Sequence, residues 1–281
     1  MRTLILGGFG LLGSDIYHAF QHAGYQTVRM SKDECNITDI ESLKTTIIKY
    51  QPELIIHAAG LTNVDLAEVI PMDTYNVNSL SMYNLLQSIS ELKPKIIFFS
   101  TDYVFDGKQG IPYREESPCR PLNIYGRSKL LAEDILRANY EKYYIIRTSW
   151  LFGKGGKCFP DTIAQKLLRE TEILSVVDDQ IGCPTYTVDL AESLLELLDC
   201  PYGIYNVTNS GSTSWYELAR LVAQEKNILD FETRIQPVHS SSYLTKAARP
   251  TYSVLDNTKW KVYKHPLRHF SEALHSFLIN R

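Results

Sequence analysis

Through the first half of the chain, short runs of β-branched and apolar residues alternate with longer stretches whose apolar positions recur every three to four residues. That rhythm predicts βαβ units. Strands are expected at 2–7, 26–30, 54–58, 95–100 and 143–148, with helices between them at about 12–23, 40–50, 72–92 and 124–139. Strands of almost unbroken apolar residues suit a parallel sheet covered on both faces. Right-handed crossovers then give an α/β, doubly wound sheet with its ligand cleft at the carboxyl ends of the strands. After Gly153-Lys154-Gly155-Gly156-Lys157 the rhythm changes, and the pattern predicts helices near 162–169, 188–198, 214–226 and 267–278 with strands near 173–177 and 203–207.

With 281 residues, the chain can hold one large domain or a medium domain and a small one. Charged residues at 22% and hydrophobic residues at 44% are those of an ordinary globular protein. The net charge of -3 carries no basic cluster, so nucleic acid is not an expected partner. No apolar run approaches the ~18 residues of a membrane span, and Met1-Arg2 leads straight into a strand rather than a signal peptide. A cytoplasmic location is expected. Five scattered cysteines show no Cys-x-x-Cys spacing, and seven histidines form no cluster, so neither a disulfide framework nor a metal is expected. His57 reads as a strand-end packing residue.

Three groups of residues carry candidate chemistry. Gly7-Gly8-Phe9-Gly10-Leu11-Leu12-Gly13 follows the first strand and opens the first helix, the place where glycines let a pyrophosphate approach a helix amino end. This predicts a Rossmann-type dinucleotide-binding domain over 1–153, followed over 154–281 by a smaller α/β, mainly substrate-binding domain with segments returning to the sheet. At the end of the second strand stand Arg29, Ser31 and Lys32; a hydroxyl and two cations favour NADPH over NADH, although Asp33 and Glu34 follow closely. Asn36 and Ile37 are placed to bracket the adenine, and Ala58-Ala59-Gly60 are small enough to let the cofactor pass close by.

The second group is Ser100-Thr101-Asp102 at the end of the fourth strand, the third Tyr125-Gly126-Arg127-Ser128-Lys129. Four residues apart on a helix, a phenol and an ammonium share one face. A phenol titrates near pH ~10 unless a positive charge favours its ionised form, so Lys129 is expected to lower the Tyr125 pKa. Thr101 is placed to hydrogen-bond an oxygen that Tyr125 protonates. Of the 18 tyrosines only Tyr125 has a lysine four residues on.

With these groups in order, the chain resembles the extended short-chain dehydrogenase/reductases, and among them the dTDP-4-dehydrorhamnose reductase family. The resemblance runs nearly end to end, through Gly7 to Gly13, Ala58-Ala59 with Thr62 and Val64-Asp65, Asn78, Ser100 to Phe105, Pro112-Tyr113-Arg114-Glu115, Pro121 to Gly126, Arg147-Thr148-Ser149-Trp150, Asp179 to Thr185, and Arg249-Pro250. It implies hydride transfer to the C4 ketone of a dTDP-linked 4-keto-6-deoxyhexose. Tyr125 would be the proton donor, Lys129 would hold the nicotinamide ribose and Thr101 would bond the reacting oxygen. It further implies cofactor contacts at Thr62, Asn78 and Ser100, and substrate contacts at Thr101, Asp102, Tyr103, Val104, Trp150, Gln180 and Arg249. It leaves room for a homodimer. The chain departs from the family pattern at Ser31-Lys32, at Cys158 and at Cys183.

Three other readings share the fold. A sugar-nucleotide 4,6-dehydratase needs a Glu where Tyr103 stands. A 4-epimerase uses the same hydride chemistry with tightly held NAD. The regulatory β subunit of methionine adenosyltransferase binds cofactor without turnover, and does not require Trp150 or Asp179-Gln180-Ile181-Gly182.

Overall fold

The computed structural model describes residues 1–89, 91–169 and 172–279. The chain opens with β1 (Arg2–Leu6), α1 (Leu11–His22), β2 (Gln26–Met30), α2 (Ile40–Tyr50) and β3 (Leu54–His57). Asp39 starts α2 by accepting from the Glu41 amide, and Gln51 ends it in the left-handed conformation.

A short α3 (Val64–Val69) precedes the helix that the periodicity predicts over 72–92, and that helix itself runs as α4 (Pro71–Tyr75), a π-helical turn at Asn76–Leu80 and α5 (Ser81–Ser88). Position 90 lies outside the described residues. Pro71 can begin a helix but cannot continue one, which separates α3 from α4. The π turn has a different cause. Its widened ring presents Asn78 to the 61–62 segment, where the Asn78 amide accepts from Leu61 N at 2.7 Å and donates to Leu61 O at 3.0 Å and Ser128 Oγ at 3.0 Å. One extra residue in a turn leaves the apolar pattern almost unchanged, so the sequence does not reveal it.

Next come β4 (Lys95–Thr101), a single 3₁₀ turn at Asp102–Val104, α6 (Ile124–Asn139) and β5 (Tyr143–Thr148). The second half adds β6 (Leu151–Phe152), α7 (Phe159–Arg169), β7 (Leu174–Val177), β8 (Ile181–Gly182), β9 (Thr185–Tyr186) and α8 (Thr187–Leu197). After these follow β10 (Gly203–Asn206), β11 (Thr213–Ser214), α9 (Trp215–Glu225), α10 (Phe231–Arg234), β12 (Ile235–Val238), α11 (Thr258–Tyr263) and α12 (Phe270–Ile279).

Six strands form one parallel sheet in the order β10-β5-β4-β3-β1-β2. The chain steps outward from β1 to β2 and then returns to build in the other direction from β3, so the cleft lies at the carboxyl ends of β1 and β3. One face of the sheet packs Ile5, Ile16 and Phe20 against Leu190 and Leu194 of α8 and against Trp260 of α11. Leu4, Leu43, Met82 and Leu136 cover the other face. The chain beyond residue 153 therefore contributes the edge strand β10 and much of one helical layer. A separate core gathers Phe152, Ile163, Val222, Leu274 and Phe277.

Between β5 and α6 the interior holds an ion pair. Arg147 donates to Glu133 at 2.7 and 3.0 Å, and to the Glu115 carbonyl at 2.9 Å, while Ser100 of β4 donates to the same Glu133 carboxylate. Both charged side chains are almost wholly removed from water. Removing one partner strands the other charge at a cost of about 3–5 kcal/mol. Arg147→Met is therefore expected to lose about that much stability in urea unfolding, and Arg147→Met with Glu133→Leu to recover much of it. Equal losses in the single and double variants would contradict the pairing.

Candidate active site

The amino end of α1 is built from the glycine-rich segment. Gly7 N and Gly8 N both donate to Met30 O at 3.1 Å, which ties the loop to the end of β2, and Gly10 N donates to Gly7 O at 3.1 Å. Gly13 has no room for a side chain, since a Cβ there would lie 2.3 Å from Gly7 O. No acidic residue occupies the first turn of α1. Its free amides and positive dipole end thus face the cleft, as a pyrophosphate requires. Beside the loop, the Arg29 guanidinium is sandwiched between the rings of Phe9 at 4.2 Å and Tyr17 at 4.3 Å.

A cavity of about 530 Å³ opens from this loop. Gly10 to Gly13, Ala58-Ala59-Gly60 and Thr62 line one side; Ser100, Thr101, Asp102, Tyr103, Tyr125, Lys129, Trp150 and Arg249 line the other. The three groups singled out in the sequence thus share one cleft. Other expected residues stand elsewhere. Ser31 gives both its amide and its hydroxyl to the Glu34 carboxylate, each at 2.9 Å, and Lys32 is exposed. Asn36 spends its carbonyl oxygen on Thr38 N and Oγ1, and Ile37 is buried in the core under the sheet. Val104 is fully buried with Phe105, Tyr113 and Leu255, so its side chain offers nothing to a ligand. Asn78 acts on the 61–62 segment from behind the cleft wall.

Tyr125 reaches the cleft because Asn123 caps α6, accepting from Gly126 N at 2.8 Å. Gly126 then lets the first turn of α6 press against the 102–104 turn: a Cβ there would be 2.1 Å from Tyr103 O. The rings of Tyr103 and Tyr125 meet edge to face at 6.1 Å. The Tyr125 phenol and the Thr101 hydroxyl line the same cavity. Burial pushes the Tyr125 pKa up to about 12, with the nearby Thr101 hydroxyl acting the other way.

The expectation that Lys129 lowers this pKa is not met in the protein alone. Lys129 is 6% exposed, and its ammonium lies 4.1 Å from the centre of the Phe98 ring. Burial brings its own pKa down to about 7, Glu133 holding it up only in part. Helical spacing placed the pair on one face but could not show that the lysine is dry.

Asp102 is 2% exposed. Its Oδ1 accepts from Thr101 Oγ1 at 3.0 Å and its Oδ2 from Ser253 Oγ at 2.5 Å, and burial raises its pKa to about 7. Trp150 holds a left-handed backbone (φ 47°), with its ring stacked 3.5 Å from that of Trp215. Arg249 pairs with Asp65 at 2.7 Å and donates to Ala247 O at 3.0 Å. Gln180 lines a second cavity of about 1040 Å³, which shares Arg249 and Trp215 with the first. Sequence reasoning missed Trp215, Ser253, Thr148 and Lys157. Trp215 begins an amphipathic helix, Lys157 stands in the glycine-lysine break and Thr148 stands in the Arg147-Thr148-Ser149-Trp150 run; Ser253 carries no local signal. His57 is buried, its pKa brought down to about 3 by desolvation. Among the described residues no three His, Cys, Asp or Glu side chains are grouped as a metal site, and no helix is long and apolar enough to cross a membrane.

The family model described as "RmlD substrate binding domain" matches residues 1–281. The chain belongs to this family. It is similar to the spore coat polysaccharide biosynthesis protein SpsK of Bacillus subtilis, 39% identical over 280 residues that cover 100% of this chain and 98% of that one. It is also similar to the dTDP-4-dehydrorhamnose reductase of Streptomyces griseus, 34% identical over 97% of this chain and 91% of the relative. Among solved structures, the dTDP-4-dehydrorhamnose reductase of Bacillus anthracis in complex with NADP superposes with a TM-score of 0.95 at 33% identity, covering 100% of this chain and 99% of that one. The extended short-chain dehydrogenase/reductase fold inferred from the sequence is the fold of this family member.

The depressed pKa of Lys129 has a consequence for stability. Its folded value near 7 lies below the unfolded value near ~10.4, so between these pH values the unfolded chain binds the extra proton, and stability rises with pH. Lys129→Met should therefore melt above the wild type at pH 7, by on the order of a few kcal/mol, with the two converging toward pH ~10. A variant less stable at every pH would contradict the burial cost.

Proposed function

We propose that the protein reduces the C4 ketone of a dTDP-linked 4-keto-6-deoxyhexose with NADPH, converting dTDP-4-dehydro-L-rhamnose to dTDP-L-rhamnose for a cell-surface polysaccharide. The observation that carries this reading is the Thr101 and Tyr125 pair, two hydroxyl-bearing side chains that line one cleft at the carboxyl end of β4, which the amino end of α1 enters. The names of the relatives, two dTDP-4-dehydrorhamnose reductases and a spore coat polysaccharide protein, support the substrate class.

The residues present fit a dinucleotide: the open amides of α1 for the pyrophosphate, Ala58 to Gly60 for close approach, and Lys129 for the nicotinamide ribose. Arg29 would serve a 2′-phosphate, which must displace Glu34 from the Ser31 donors. Bound NADPH supplies the hydride. The chain's own side chains do the rest.

Burial keeps the Tyr125 phenol protonated at neutral pH, so it can give its proton to the oxygen at C4 as negative charge develops there. Thr101 holds that oxygen in line. The Trp150–Trp215 stack offers the sugar nucleotide a flat apolar wall, and the Arg249 guanidinium offers a cation for its diphosphate. With Tyr103 held neutral by burial, and both oxygens of the neighbouring Asp102 taken by Thr101 and Ser253, C5 keeps its proton and reduction wins over dehydration. On this reading residues 1–153 hold mainly the cofactor, later residues hold mainly the substrate, and the enzyme works in the cytoplasm.

Purified protein is expected to oxidise NADPH when given dTDP-4-keto-6-deoxy-L-mannose, faster than with UDP- or GDP-linked 4-keto sugars. Tyr125→Phe should lose roughly 10²–10⁴-fold in rate while binding cofactor as the wild type does. Normal turnover by Tyr125→Phe would remove the assigned proton donor.

A further inference from the structure

We propose that Asp102 is a positioning residue: as a neutral acid it turns the Thr101 hydroxyl toward the reacting oxygen, and as a carboxylate it turns that hydroxyl away. This rests on the reduction proposed above. The resemblance implied that Asp102 touches the sugar, but both its oxygens are taken by hydroxyls, Thr101 on one side and Ser253 on the other.

A hydroxyl can offer one proton and two lone pairs. One lone pair of Thr101 Oγ1 accepts from Tyr103 N at 3.2 Å. A carboxylate only accepts, so an ionised Asp102 takes the Thr101 proton. Thr101 then faces Tyr125 with a lone pair, which holds the phenol proton back and gives the C4 oxygen no donor. A neutral Asp102 reverses this. Its acid proton goes to Thr101 Oγ1, the Thr101 proton points into the cleft, and Tyr125 is free to donate. The reacting oxygen then meets two donors instead of none.

Ser253 fits the same scheme, since it can donate to Oδ2 whichever state the acid is in. Among the described residues no cation is paired to Asp102. Facing it are the phenols of Tyr103 on the 102–104 turn and Tyr125 on α6, and the thiol of Cys183 between β8 and β9, all kept neutral at pH 7 by burial. Of the cations that line the cleft, Arg249 is paired with Asp65, Lys129 lies over Phe98 and Lys157 stands in the glycine-lysine break, and among the described residues none of them is bonded to Asp102. The raised pKa near 7 puts the switch within the working range. Protonated Asp102 is the competent form, so the rate should be full below that value and fall as pH rises through it.

The test is the single-turnover rate of NADPH oxidation against pH in three proteins. Asp102→Asn presents a fixed amide donor to Thr101 and an acceptor to Ser253, a permanent copy of the neutral acid. Its rate at pH 6 should stay within about threefold of wild type, and the fall across pH 7 should vanish. Ser253→Ala removes a bond that favours the carboxylate, so the fall should move up by about one pH unit.

A fall that persists unchanged in both variants would assign the limb to another group, such as Lys129, and overturn the proposal. So would an equal slowing of Asp102→Asn at every pH. In the free protein, the infrared stretch of a protonated carboxyl should be present at pH 6, absent from Asp102→Asn, and lost as pH rises past 7. A wild-type protein that reduces no keto sugar counts against the proposed reaction; a missing carboxyl band counts against Asp102 whatever the activity.

Discussion

Everything at the site hangs on the buried contact of Glu133 with Arg147 and Ser100. Glu133 lies one helical turn beyond Lys129 on α6, Arg147 lies on β5 and Ser100 precedes Thr101 on β4. A single carboxylate therefore fixes the helix that carries the phenol and ammonium against the strand that carries the hydroxyl. Such a pair is costly to dehydrate and adds little net stability over an apolar replacement. What it supplies is register. Sliding α6 against β4 would break charge-assisted bonds in a dry interior, and the close seat of Gly126 on Tyr103 O leaves no slack for sliding.

Dryness also explains the chemistry. Burial raises the Tyr125 phenol to about 12 and Asp102 to about 7, and lowers Lys129 to about 7. Each shift favours the neutral form, so the centre of the cleft carries little net charge at neutral pH. A ketone acquiring negative charge there meets a protonated phenol in a medium that screens weakly. The same burial destabilises the folded chain, as sites built for reaction commonly do.

Much of this was legible in the sequence. The strand-loop-helix at Gly7 to Gly13 is local, and so is the helical spacing of Tyr125 and Lys129; both are found where the pattern puts them. Five strands of the sheet follow from apolar runs in the first half, while the sixth, β10, comes from the second half of the chain, where only some return to the sheet was expected. What stayed hidden is what depends on distant partners or on water. Ser253 reaches Asp102 across 151 positions, and no periodicity links them. The direction of the Lys129 pKa shift depends on burial, which spacing does not report. The π turn around Asn78 alters a helix by one residue, below what an apolar pattern can resolve. Asn36 and Ile37 were read as ligand contacts from their place in the chain and Val104 from the resemblance, yet their side chains turn to a local cap or to the core.

The central claim is that Thr101 and Tyr125 jointly hold the oxygen at C4 of the sugar. A structure of the protein with NADP and dTDP-L-rhamnose bound together tests it most directly. The C4 oxygen should lie within ~2.6–3.2 Å of both Tyr125 Oη and Thr101 Oγ1, with the hydride-bearing carbon on the opposite side from the tyrosine ring. A sugar bound with C4 turned from both hydroxyls, in a cleft otherwise filled, would contradict it.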